Sequence, residues 1–375
     1  RDLRMSRGLG DVYKRQIVNE PKRWYSIDIE KRIMMNLEYL KSIINDIFLT
    51  DSPSGFSLNI NRVIVKELEK LGYTDYTINH KQAIEVCIAG QSHEKKVAVA
   101  AHADTLGLMV RSINADGTLR VTNVGGPSIP TLDGEYCRIY TREGKAYTGT
   151  ILSTSPAVHV FKDSASKPRD IDNICVRLDE RVCSKKDTEA LGIENGDYIC
   201  YESKTVLTES GFLKSRFIDD KGSVCVILAV LEYMSRNQIL PKYDTCVYFT
   251  NYEEVGHGGA TIRNVDEFVA VDMGCVGLDL SGNEYAVSIC AKDTFGPYDY
   301  ELTNRLISYA KEAQLNYAVD IFPYYSSDVA ASMRSGLDGK GALIGSGVHA
   351  SHGMERTHTE GLLNTMKLLL MYLTK

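Results

Sequence analysis

The apolar, strand-like run 96–101 ends on His102-Ala103-Asp104, and the next paired acids that open a helical run, Asp219-Asp220, stand 117 residues beyond that histidine. A histidine and an acid delivered at a strand's carboxyl end belong on the rim of an open α/β sheet, where ligands bind. A single strand–helix–strand crossover needs only a few tens of residues. The interval therefore predicts a domain-sized insertion between the two segments.

The texture on either side agrees. Ile33, Met34, Leu37, Leu40, Ile43, Ile44 and Ile47 recur at three-and-four spacing and predict a helix over 28–49. After the breaker Asp51-Ser-Pro-Ser-Gly55, a second helical stretch over 63–71 stops at Gly72. Runs 83–89 and 96–101 read as strands. Turns at Asn114-Ala-Asp-Gly117 and Glu143-Gly-Lys145 separate strand pairs 108–113/119–124 and 136–140/146–152. Beyond Phe212 strands and helices alternate: helix 223–234, strand 245–251, strand 268–271 ending on Asp272, helix 300–314, strand 342–344 and a closing helix 361–373. The expected organisation is an α/β domain made of 17–107 and 211–375, interrupted by a β-rich block over 108–210.

Residues 1–16 begin without Met, mix Arg, Gly and Asp, and have no apolar stretch of signal-peptide type. They are expected to be a non-native leader, with the native chain starting near Ile17. The 43 basic and 49 acidic residues leave a net charge of −6, no field for attracting nucleic acid or anionic lipid. Apolar stretches such as 224–231 fall far short of the ~20 residues that cross a bilayer. Neither nucleic acid nor membrane is expected as a partner. Nine cysteines without a Cys-x-x-Cys predict reduced, mostly buried thiols in a cytoplasmic protein.

The chemistry gathers where apolar runs end: His102 and Asp104, Asp219 and Asp220, Glu253 and Glu254, Asp272, and His352. Carboxylate and imidazole donors without clustered thiolates suit catalytic Zn²⁺, Co²⁺ or Mn²⁺. Two such ions can share a carboxylate and a water. Glu253 and Glu254, being consecutive, point different ways and can divide proton transfer from metal binding. Asp104, two residues after His102, is expected to accept the imidazole's second proton through its carboxylate. Taken singly, Asp219-Asp220 is an N-cap and turn, and the Glu pair a solvated pair. Asp272 after Phe-Val-Ala-Val is harder to dismiss, because a buried acid there needs a partner. His80, His93 and His159 read as surface or packing residues, and His257 as a loop residue.

These segments carry a resemblance. Ala101-His-Ala-Asp-Thr-Leu-Gly107 resembles AHxDExG, Ile218-Asp-Asp-Lys-Gly222 resembles xDDRxG, and Asn251-Tyr-Glu-Glu-Val-Gly256 resembles xxEEVG of metallopeptidase family 42. That family comprises the di-zinc TET, glutamyl and deblocking aminopeptidases, some once labelled endoglucanases. Val271-Asp-Met and Ser351-His-Gly-Met-Glu-Arg-Thr-His resemble its later aspartate and last histidine segments, so the likeness spans 28–375. Thr105 stands where the family usually has Glu, and Lys221 where it often has Arg.

The resemblance implies a three-layer α/β zinc-exopeptidase sandwich with an inserted β-rich dimerisation domain. It implies two divalent ions per subunit, zinc foremost, with cobalt or manganese as alternatives. His102 and Asp272 would hold one ion, Glu254 and His352 the other, with Asp219 bridging. Glu253 would be the general base and Asp104 its catalytic companion behind His102. His349 and His358 compete with His352 for the last ligand position, and Asp328 would line the pocket. The implied activity is removal of the N-terminal residue of peptides by a homo-oligomer, from dimer to dodecamer. A deacylase or carboxypeptidase with the same metals is the alternative, as is an inactive metal-binding assembly protein.

Overall fold

The computed structural model describes residues 37–375. The leader 1–16, the start near Ile17 and positions 28–36 of the predicted helix lie outside the described residues. Helix α1 (37–48) and helix α2 (Leu58–Lys70) bury the stripes their periodicity marks: Leu40, Ile43, Ile44 and Ile47 from one, Ile60, Ile64 and Leu68 from the other. Helix α2 begins five residues earlier than its apolar pattern, at Leu58. Strands β1 (Tyr76–Ile78), β2 (Ile84–Ile88) and β3 (Ser92–His102) follow.

The interval after His102 folds as β4 (Gly107–Ile113), β5 (Leu119–Val124), β6 (Tyr136–Tyr140), β7 (Ala146–Ser153), β8 (Ile174–Leu178), helix α3 (Lys185–Ala190) and β9 (Tyr198–Tyr201). Its six strands close into a barrel in the order β4-β5-β8-β7-β6-β9, which leaves no open edge. Leu108, Val121, Ile139, Ile151, Val176 and Ile199 form a core of its own.

The chain then returns through β10 (Val206–Leu207), β11 (Phe212–Ser215), α4 (Ile218–Arg236), β12 (Tyr243–Thr250), β13 (Glu267–Val271) and β14 (Gly274–Cys275). It continues through β15 (Val287–Asp293), β16 (Gly296–Pro297), α5 (Tyr300–Glu312), β17 (Tyr317–Ile321), α6 (Asp328–Arg334), β18 (Lys340–Val348), β19 (Glu355–His358) and α7 (Thr359–Thr374). A ten-stranded sheet runs β1-β2-β12-β3-β13-β18-β15-β16, with β14 on β18 and β17 on β15. Its centre, β12-β3-β13-β18, is parallel throughout. Both faces of β3 are covered: Val99 and Ala101 join the cluster that holds α1, α2, α4 and α7, while Ala98 and Ala100 join a second one with Phe268 and Val329. Among the described residues no helix is long and apolar enough to cross a membrane.

Two expectations need correction. Strand β18 runs over 340–348 rather than 342–344, and its glycines hid it. A Cβ at Gly345 would stand 1.8 Å from the Asp272 carbonyl oxygen, and one at Gly347 2.1 Å from that of Asn283, so neighbouring backbone excludes the side chains that would have marked a strand. The cysteines are not all reduced thiols. Cys87 on β2 and Cys246 on β12 are register partners 4.1 Å apart at Cα and are disulfide-bonded. A separation of 159 residues concealed that pairing. Among the seven free cysteines, Cys137, Cys200, Cys225 and Cys290 are buried as expected.

Candidate metal centre

The four parallel strands all end at one rim. His102 is the last residue of β3 and pairs with Thr250, the last of β12, which places Glu253 and Glu254 in the following loop. Asp272 follows β13 directly, and the turn between β18 and β19 carries His352. Pairing of β11 with β19 sets Ser215 opposite Glu355 and so brings the start of α4, with Asp219 and Asp220, to the same place.

His102 Nε2 lies 3.1 Å from Asp219 Oδ1 and 3.7 Å from Glu253 Oε2. His352 Nε2 lies 3.5 Å from Asp219 Oδ2 and 3.6 Å from Glu254 Oε2. The other nitrogen of each ring faces a main-chain carbonyl: Asp104 O for His102 and Gly126 O for His352, both at 2.9 Å. A carbonyl can only accept, so each Nδ1 carries a proton and each ring turns its Nε2 toward the carboxylates.

Ligand atoms of His102, Asp220 and Asp272 lie within 4.8 Å of one another, as do those of His102, Asp219 and Glu254. His102 thus belongs to both groups, and Asp220, a candidate from the sequence without an assigned role, joins one of them. None of His349, His352 and His358 joins either group, although His352 alone turns its Nε2 toward Asp219 and Glu254. The His358 ring faces Ser210 O at 2.9 Å and accepts from the Glu360 amide at the start of α7.

The cluster is short of positive charge. Burial, with Asp272 adding repulsion, pushes Asp220 and Glu253 well above the carboxylate range, and burial with Asp219 does the same to Glu254. Burial and Asp219 raise Asp272 to about 7. Burial opposes the charging of His102, yet Asp219, Glu253, Asp272 and Asp220 outweigh it and lift the imidazole well above its usual range. His352, against its own burial, is raised by Asp219 and Glu254 to about 10. Asp220 Oδ1 and Glu254 Oε1 are buried without any hydrogen-bond partner. Crowded carboxylates, orphaned acceptors and two imidazole Nε2 atoms turned toward them fit divalent cations, which would take the place of the Nε2 protons.

Asp104 departs from its expected part. Its carboxylate stands 3.7 Å from His102 Nδ1, whose proton goes to the Asp104 main-chain carbonyl instead. The carboxylate accepts the amides of Glu253 and Glu254 at 3.2 and 3.3 Å and the hydroxyl of Ser54. Asp328 is also placed differently. It turns its carboxylate to Thr250 Oγ1 and the Gly259 amide, behind the Glu253 loop, rather than into the cavity. His257 stacks on Tyr252 in the loop, as a loop residue should.

Sequence reasoning missed Glu355, whose two oxygens each accept an amide at 3.0 Å, one from Asp219 and one from His352. It also missed Ser351, which donates to Asp219 Oδ2 at 3.2 Å, and Gly126. Only the tertiary pairing of β11 with β19 marks Glu355. A cavity of about 450 Å³ opens over the cluster, with Asp219, Glu253, Glu254, Asp272 and His352 in its lining.

The model of the M42 glutamyl aminopeptidase family matches residues 83–368. YhfE of Bacillus subtilis (strain 168) is 40% identical over 341 residues, 90% of this chain and 98% of that protein. The structure is similar to that of the aminopeptidase APDkam598 from Desulfurococcus kamchatkensis, with a TM-score of 0.80, 22% identity, and coverage of 90% and 95% of the two chains. It is also similar to the TET1 peptidase of Pyrococcus horikoshii, which can assemble into a tetrahedron or a large octahedral shell. There the TM-score is 0.78 at 20% identity, covering 90% of this chain and 99% of that one. This chain belongs to the M42 aminopeptidase family and is a peptidase.

Proposed function

We propose that the chain removes the N-terminal residue of peptides at a centre of two divalent cations held by His102, Asp219, Glu254, Asp272 and His352. The observation that carries this reading is the convergence of two histidine Nε2 atoms and several buried carboxylates beneath one open cavity. Asp219 turns one oxygen toward each histidine and would help to hold both cations; Asp220 would be a further donor beside His102 and Asp272. When bound, the metals, zinc foremost, supply Lewis-acid polarisation of the scissile carbonyl and acidify water.

The chain's own groups do the rest. Glu253 Oε2, on the cavity side of His102, accepts a proton from the attacking water and returns it to the leaving amine. Asp104 holds the Glu253 and Glu254 amides and so positions both side chains without meeting substrate. Ser351 and Glu355 steady Asp219 and the His352 turn.

The division into a catalytic unit, 17–107 with 211–375, and an assembly block, 108–210, is supported by the barrel's own core. The barrel serves self-association into dimers or larger shells. Metal analysis combined with hydrolysis of free and N-blocked peptides tests the reading. Bound metal with cleavage of free peptides alone supports it, whereas equal cleavage of N-blocked peptides favours a deacylase and rejects it.

A further inference from the structure

Besides the cluster residues and Ser351, the cavity wall is formed by Met273, Cys275, Tyr324, Tyr325, Ser326 and Gly256. Among the described residues lining the cavity there is no lysine or arginine, and every acid is one of the four in the cluster: Asp219, Glu253, Glu254 and Asp272. Lys81 and Arg334 reach the nearby loop but donate to the main-chain carbonyls of His257 and Gly256, and Arg334 lies over the Phe295 ring. The Tyr325 hydroxyl is engaged with Met273 O at 3.0 Å. Cys275 is a free, half-buried thiol, and the Tyr324 ring is 98% exposed at the mouth, uncovered by its own chain.

We propose that this wall receives the side chain of the substrate's first residue and selects apolar, uncharged ones such as leucine, methionine and phenylalanine, with Cys275 as the position that sets the choice. The inference rests on the aminopeptidase reading and gives it a substrate class. A glutamyl side chain would lose its hydration on this wall with no lysine or arginine to meet it, the only nearby cations being the metals that the cluster's own carboxylates would hold. A lysyl ammonium would find no acid except those committed to the metals, and would lose its hydration without replacement. An apolar side chain loses nothing there. It gains contact with a thioether and a thiol, which adapt to irregular shapes, and with an aromatic face free to close over it.

The test uses the metal-loaded, full-length protein and two readouts. The first is kcat/KM for leucyl, methionyl, glutamyl and lysyl p-nitroanilides; the second is calorimetric titration with free L-leucine, L-glutamate and L-lysine. Leucyl and methionyl substrates are expected to exceed glutamyl and lysyl ones by at least about tenfold, the range in which pocket contacts discriminate. Leucine is expected to bind more tightly than either charged amino acid. Cys275→Lys should shift the glutamyl-to-leucyl ratio upward by about tenfold or more, while Cys275→Ser keeps the apolar preference. Glutamyl or lysyl cleavage equal to leucyl overturns the proposal, as does an unchanged ratio in folded C275K. Should C275K fail to fold, the wild-type profile decides. Leucine-selective binding without cleavage of any substrate rejects the aminopeptidase reading and upholds the selectivity. Absence of both rejects both.

Discussion

His102 Nδ1 donates to the main-chain carbonyl of Asp104 at 2.9 Å, while the carboxylate of the same residue stands 3.7 Å off and serves two other amides. A main-chain carbonyl fixes the tautomer as firmly as a carboxylate would, and it survives any substitution at the side chain. Asp104→Asn therefore leaves the His102 tautomer intact but turns an NH₂ toward the Glu253 or Glu254 amide. The expected result is a loss of about 1–3 kcal/mol in denaturant unfolding together with a lower kcat, as both glutamates shift. A protein of unaltered stability and activity would show that those amides do not need the carboxylate.

Glu253→Gln keeps the shape of the site and removes the proton acceptor. Elemental analysis should find the metal content preserved while kcat falls by ~10² to 10⁴-fold. A near-normal rate would assign the proton transfer to another group.

Stripping the protein with a chelator should abolish peptide hydrolysis and lower the melting temperature, because the buried carboxylates then face one another uncompensated. Re-addition of zinc, cobalt or manganese should restore both. Activity that persists in protein shown to be metal-free would refute the metal centre itself.

The histidines of the last segment separate by function. His352→Ala should lose metal, since its Nε2 faces Asp219 and Glu254. His358→Ala should keep metal and activity and cost about 1 kcal/mol of stability, the usual worth of a helix cap. The reverse pattern in metal analysis would reassign the ligand.

Away from the centre, Glu267 opens β13 between Lys95 at 3.1 Å, Arg305 and the Tyr372 hydroxyl at 3.2 Å. Burial raises its carboxyl, but the pairs with Arg305 and Lys95 outweigh it and hold it below the ordinary 4.5. A depressed folded value gives stability that is present above the unfolded pKa and lost as pH falls through the folded one. Glu267→Gln should cost about 1–3 kcal/mol near pH 7, and the gap in melting temperature from the unaltered protein should narrow below the ordinary 4.5. A gap constant across that range would mean the carboxyl is not ionised by its partners.

The ends of the parallel strands were legible because each is an apolar run stopped by a residue that burial alone cannot explain, as with Ala101-His102 and Val271-Asp272. A β-rich insertion could be anticipated from turn chemistry at Asn114–Gly117 and Glu143–Lys145 and from the length of the interval, but not its closure into a barrel. What stayed hidden depends on contacts far apart in sequence. Glu355 acts only because β19 pairs with β11, and Asp104's carboxylate is drawn to amides 149 and 150 residues away. The pairing of Cys87 with Cys246 likewise follows from which strands are neighbours, something composition does not encode.

The carbonyl that orients His352 comes from Gly126, just past β5 and inside the interval that interrupts the α/β chain. A Cβ there would sit 3.5 Å from the same ring nitrogen. Excising the barrel as a dispensable accessory would therefore take away the acceptor of the His352 ring, and transplanting it between relatives would demand a matching loop. The two parts of this molecule have to be inherited together.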